Sequence, residues 1–272
     1  MYFILRNDLA WKMLSDKERE IIKKINNDYN NNRDDYINIE TFGSSRQAEG
    51  ERWDTFNYEK LKSNKVKGND AVYLSSQLDK YNPSSVLEVG SGPGLFTRMI
   101  YDHKSVNSLS INDINAGFVK FILNQEKKHN SRKKFNHYIG DILSLKISEK
   151  FDMIVIISSL HHIPDREEVF LKFCDLLNPN GLIVICEPSH YIKRIYTLLK
   201  KVRMMTSKKY ISNLQNYSTH HMCTKGEYRN IVKKLNRLQI ETIDYDDSTI
   251  KKNMLLKRLF SNRIHATFKK II

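Results

Sequence analysis

The chain has 272 residues, a formal net charge of +14, and 40% hydrophobic and 10% aromatic residues, which allows one sizeable core with an extension and excludes a disordered or fibrous chain. No apolar run approaches the ~18 residues of a membrane span, and Met1-Tyr2-Phe3-Ile4-Leu5 is too short for the core of a signal peptide. Cys174, Cys186 and Cys223 are scattered without C-x-x-C spacing, which predicts reduced thiols in a cytoplasmic protein and no metal site.

In chain order, the first element is a helix capped by Ser15, with Glu18 completing a capping box and Ile21, Ile22 and Ile25 forming an apolar stripe. The polar stretch Asn30 to Asp54 reads either as a loop over the site or as a plain connector. Residues 1–64 are thus expected to form an N-terminal helical extension, or cap, ahead of a domain over 65–272. Val86, Leu87 and Val89 fit a buried parallel strand, followed by Gly90, Gly92 and Gly94 at alternate positions. A turn lacking Cβ atoms at alternate residues lets backbone N–H groups approach a ligand closely. A helix over Leu95–Tyr101 and a strand over 108–112 come next, ending at Asp113. Asp113 follows Gly94 by about 20 positions, the separation at which an acid after the second strand grips a ribose; alone, it could equally cap the helix near Ala116.

Tyr138-Ile139-Gly140-Asp141-Ile142 is a strand end followed by an acid, and Phe151–Ile157 is a continuous apolar strand leading into Ser158-Ser159-Leu160-His161-His162. A helix follows from Arg166 with Asp165 as its cap; Asn178-Pro179-Asn180-Gly181 breaks it, and Leu182–Cys186 forms a fifth strand. Residues 189–223 form an insertion with Ile192, Ile195, Leu198, Leu199 and Val202 at helical spacing, expected as a helical lid. Thr224 and Glu227 give another capping box, and strands over 239–245 and 264–268 close the sheet. Strands alternating with helices predict an α/β fold: a Rossmann-like, doubly wound, mostly parallel seven-stranded sheet.

These segments together resemble the class I S-adenosylmethionine-dependent methyltransferases over roughly residues 70–270. The matches are LEVGSGPG (87–94), Asp113, Gly140-Asp141-Ile142, FDMIVIISSLHHIPD (151–165) and LLNPNGLIVICEP (176–188). The resemblance implies S-adenosyl-L-methionine as cofactor. It puts Glu88 and the turn of Gly90, Ser91, Gly92 and Gly94 on the methionine end, Asp113 on the ribose with Ile114 also against the cofactor, and Asp141 with Ile142 on the adenine. Ser158 and Ser159 would line the point of methyl transfer. The one departure is Asn178-Pro179-Asn180-Gly181, where the family commonly has Lys-Pro-Gly-Gly.

A hydroxyl or acidic-carbon acceptor also needs a base, and histidine titrates near ~6.5. His161 and His162 leave strand four beside the expected transfer point, and His190 lies just past strand five; each is a candidate, against a purely structural role. The Asn/Asp-Pro-Pro-aromatic motif of base and amide methylation does not follow strand four, nor does a catalytic cysteine. The expectation is therefore transfer to a small molecule at oxygen, with nitrogen and carbon as the alternative acceptor atoms. The alternatives are an RNA methyltransferase, suggested by the charge, and a cofactor-binding protein without turnover. The basic amphipathic stretches around 192–203 and 251–260 leave peripheral membrane contact, lid and partner surface open, as is the oligomeric state.

Overall fold

The computed structural model describes residues 15–20, 52–64, 67–129, 133–163, 166–189, 202, 223–246 and 263–271. His190, most of the 189–223 insertion, the 251–260 stretch, the Asp165 cap and most of the Asn30–Asp54 loop lie outside them. The elements are α1 (Tyr58–Lys62), α2 (Gly68–Tyr81), β1 (Ser85–Val89), α3 (Leu95–Asp102), β2 (Ser108–Asp113), α4 (Ala116–Glu126), β3 (Lys134–Ile139) and β4 (Phe151–Ile157). They continue with α5 (Arg166–Leu176), β5 (Leu177–Pro188), α6 (Lys225–Leu235), β6 (Leu238–Tyr245) and β7 (Arg263–Lys270). The seven strands form one sheet in the order β3-β2-β1-β4-β5-β7-β6. The first five are parallel, and β7 runs antiparallel between β5 and β6. This is the expected mostly parallel sheet with its closing antiparallel pair.

Period-two alternation along the strands separates two cores. Leu87, Val89, Ile154, Ile156, Ile183 and Ile185 face one side, where α5 and α6 pack. Val86, Leu109, Ile111, Met153, Val155 and Val184 face the other, with α2, α3 and α4. Trp53 and Leu61 belong to this second core, so the segment 52–62 packs with the sheet's own helices. Trp53 is 1% exposed, its ring tilted against Tyr101 at 5.1 Å and edge-on to Phe135 at 6.2 Å.

Both expected capping boxes within the described residues are present. Glu18 N–H donates to Ser15 Oγ while Ser15 N–H donates to Glu18 Oε2; Thr224 and Glu227 do the same at the start of α6. The cap of α4 is Asn115 and not Asp113: the Asn115 side chain accepts from Gly117 and Phe118 N–H. This frees Asp113 for another duty. Helix α5 ends at Leu176 and β5 begins at once, so Asn178–Gly181 lies within the strand's span, with Asn180 at φ 62°.

Candidate functional site

The carboxyl ends of β1, β2, β3, β4 and β5 meet along one edge, where open parallel sheets bind ligands. At the tip of β1 the chain turns through Gly90 (φ 73°), Gly92 (φ 51°) and Gly94 (φ 87°) into α3. Two of these positions have no room for a side chain: a Cβ on Gly90 would sit 2.2 Å from Ser159 Oγ, and one on Gly94 2.8 Å from Ile122. Gly92 differs, because a Cβ there would meet nothing within 4 Å. The turn thus presents open space at its middle glycine and is clamped on either side.

Contacts from β2 and from the segment ahead of the sheet hold that turn. The Asn112 carbonyl accepts from Gly90 N–H (2.8 Å) and Ser91 N–H (3.1 Å). Asp113 Oδ2 accepts from Gly92 N–H at 2.8 Å, and its other oxygen from Asn115 N–H at 2.8 Å. Burial pushes the Asp113 carboxyl up, partly offset by these backbone donors. From the N-terminal side, Arg52 bridges to Gly94 and Trp53 N–H donates to the Pro93 carbonyl. Sequence reading missed Asn112, whose side chain also ties Tyr138 and Gly140 carbonyls and so draws the end of β3 to this edge.

Glu88 sits beneath the turn, 3% exposed. Its Oε2 is buried without a hydrogen-bond partner among the described residues, as are Ser91 Oγ and Thr97 Oγ1. Burial lifts the Glu88 carboxyl to about 8; the nearby Thr97 hydroxyl lowers it, and the Asp113 charge raises it again. A buried acid with an unpaired oxygen beside an open glycine turn is fitted to a polar, cation-bearing ligand. Asp141 folds back on its own loop, accepting from Leu143 N–H at 3.0 Å, with Ile142 buried behind it and Ile114 exposed at the tip of β2.

Across the edge, Ser158 leaves β4 with φ 54°, and Ser159 Oγ donates to the Gly90 carbonyl at 3.0 Å. A short 3-10 turn, Leu160–His162, comes next. Its amides converge on Glu187 at the end of β5: Ser159 N–H (2.7 Å) and Leu160 N–H (2.8 Å) donate to Oε1, and His161 N–H (3.3 Å) to Oε2. The His161 ring adds Nδ1 to Glu187 Oε2 at 2.7 Å. Burial alone would raise Glu187, but the His161 hydrogen bond and charge, with the two amides, hold it below its ordinary value. His161 is buried and His162 exposed, their rings 4.0 Å apart. The Glu187 partnership has no sequence signal, since its two members stand 26 residues apart.

Beside Ser158, Asp70, Cys186 and His265 bring metal-ligand atoms within 4.8 Å of one another. Asp70 is paired with the Arg263 guanidinium, whose Nε donates to its Oδ1, and burial raises the Cys186 thiol well above its ordinary value.

A methyltransferase-domain family matches residues 82–251, more than half of the chain. Among curated relatives, a malonyl-[acyl-carrier protein] O-methyltransferase of Calditerrivibrio nitroreducens is 31% identical over 98 residues, 36% of either protein. A trans-aconitate 2-methyltransferase of Escherichia coli O157:H7 is 22% identical over 132 residues, 48% of this chain and 50% of that protein. The matches therefore span half or less of these relatives' lengths. Among solved structures, the N-methyltransferase NodS of Bradyrhizobium japonicum in complex with S-adenosyl-l-homocysteine shares the fold, with TM-score 0.52 and 16% identity over 78% of this chain and 96% of that one.

Proposed function

This chain belongs to the class I S-adenosylmethionine-dependent methyltransferases, and we propose that it methylates a small-molecule acceptor at oxygen, with His161 as the base. The observation that carries the choice of base is the buried His161–Glu187 pair at 2.7 Å. Of the three candidate histidines, His162 is exposed and His190 lies outside the described residues.

The residues fit the cofactor. Glu88, with its unpaired buried oxygen, and the open turn at Gly92 would take the methionine end. Asp113 at the tip of β2 would take the ribose, and the Asp141–Ile142 loop the adenine. When bound, the donor supplies a methyl group already activated by a sulfonium, so the protein chiefly aligns the acceptor and excludes water.

His161 does the proton work. With Nδ1–H donated to Glu187, the ring accepts a proton at Nε2, and Glu187 steadies the resulting imidazolium. The ring is held at the β4 tip, next to the Ser158–Ser159 turn that closes on Gly90. Small-molecule acceptors are supported by the relatives acting on trans-aconitate and on malonyl-[acyl-carrier protein], the latter presenting a small acyl group.

The test is transfer of labelled methyl from S-adenosylmethionine to a metabolite extract and, separately, to total RNA. Label in base-labile small-molecule esters or in ethers supports oxygen transfer, while label in RNA overturns the acceptor class. His161→Gln lowers kcat by about 10²-fold or more and leaves S-adenosylhomocysteine affinity within about threefold. An unchanged kcat with the true acceptor removes His161 from proton transfer.

A further inference from the structure

The transfer edge depends on a residue that lies on the last strand. Ser158 is a non-glycine residue in the left-handed region (φ 54°), a strained conformation that persists only where its surroundings impose it. Its N–H donates to the Cys186 carbonyl at 2.9 Å. Its Oγ accepts from Arg263 Nη2 at 2.9 Å, and the same Nη2 donates to the Cys186 carbonyl at 3.1 Å. Arg263 therefore bonds both to the strained residue and to the group that the strained residue's own amide contacts.

The guanidinium is itself fixed. Arg263 Nε donates to Asp70 Oδ1 at 2.8 Å, with Asp70 fully buried on α2. His265 Nε2 meets the same oxygen at 2.8 Å and is stacked on Tyr73 at 4.8 Å. The direction of the chain at Ser158 decides where the next residues land: Ser159 Oγ on the Gly90 carbonyl, and the next three amides on Glu187, delivering His161. We propose that Arg263 is a positioning residue of the methyl-transfer site. Locked on Asp70, it holds Ser158 in its left-handed turn and so sets the cofactor-side contact at Gly90 and the base-side contact at Glu187 together. The proposal deepens the methyl-transfer reading and rests on it.

A backbone role makes a particular forecast, because glycine adopts positive φ without cost while alanine does not. Calorimetric titration with S-adenosylhomocysteine is run on the full chain and on Ser158→Ala, Ser158→Gly, Arg263→Lys and the double variant Arg263→Lys/Ser158→Gly. Lysine keeps a positive charge for Asp70 but has no fork with which to reach Asp70, Ser158 and the Cys186 carbonyl at once. Ser158→Ala is expected to weaken binding about tenfold and Ser158→Gly clearly less. Arg263→Lys is expected to weaken it about tenfold in the Ser158 chain and only about two- to threefold when Ser158→Gly is already present, a coupling that general destabilisation does not produce.

Equal losses in Ser158→Ala and Ser158→Gly would overturn the proposal by showing that only the hydroxyl matters. Wild-type affinity in a folded Arg263→Lys, or the same loss in both backgrounds, would overturn it too. If Arg263→Lys does not fold, the Ser158 pair decides alone. Absence of binding by the wild-type chain would instead remove the functional reading, and this proposal with it; wild-type binding with insensitive variants removes only the proposal.

Discussion

At Glu88, burial puts the carboxyl at about 8, against an ordinary value of 4.5. Between those pH values the folded protein keeps a proton that the unfolded chain has released. Stability therefore falls as pH rises from about 4.5 to about 8, then levels off. Glu88→Gln removes this slope, so thermal melts at pH 9 should place the variant above the wild type, with the gap closing below about pH 5. The same substitution should weaken S-adenosylhomocysteine by about tenfold, since an amide replaces the anion proposed to face the ligand's ammonium. Wild-type affinity should accordingly rise between about pH 6 and about pH 8 as the carboxyl ionises. A variant destabilised at high pH would mean that the Glu88 charge is compensated within the unliganded protein. Asp113 shows the opposite economy of one side chain: it restrains Gly92 and Asn115 from the position proposed to hold the ribose, so turn shape and the proposed ligand contact would rest on the same carboxylate.

Among the elements, β1 and β4 were the most legible, because each is a short apolar run ending at a polar or glycine-rich tip. Helix α2 was not, and the reason is on its inner face. Ala71, Leu74 and Leu78 are fully buried there, but Asp70 and Gln77 are buried with them and interrupt the apolar stripe. Asp70 is inward because Arg263 and His265 meet it from β7, a partnership 193 residues distant for Arg263. Local periodicity carries no trace of such a pair. The segment 52–55 was similarly hidden: Arg52-Trp53-Asp54 reads as polar loop, yet Trp53 fills the space beside Gly94. Trp53→Ala should cost about 3–5 kcal/mol in urea unfolding, whereas Trp53→Phe should recover most of that loss. A loss under about 1 kcal/mol would show that the segment is docked without bearing on the core.

For the molecule as a whole, the formal net charge is +14. Charge of this size attracts polyanions without specificity, and such binding falls by orders of magnitude between about 50 and about 200 mM salt. Retention on total RNA should therefore vanish over that range while methyl transfer to small-molecule acceptors changes little; salt-resistant, sequence-selective retention would favour the RNA reading. The order of strands in the sheet has a different consequence. The strand that carries Arg263 is inserted between β5 and β6, although it is the last of the seven along the chain. A nascent polypeptide could lay down the glycine turn, the acids and both histidines of the β4 tip, and still lack the guanidinium that braces them. Full competence would then arrive only with that strand, so that a product terminated before it would carry every residue read as touching the cofactor yet hold the ligand more weakly than the whole chain.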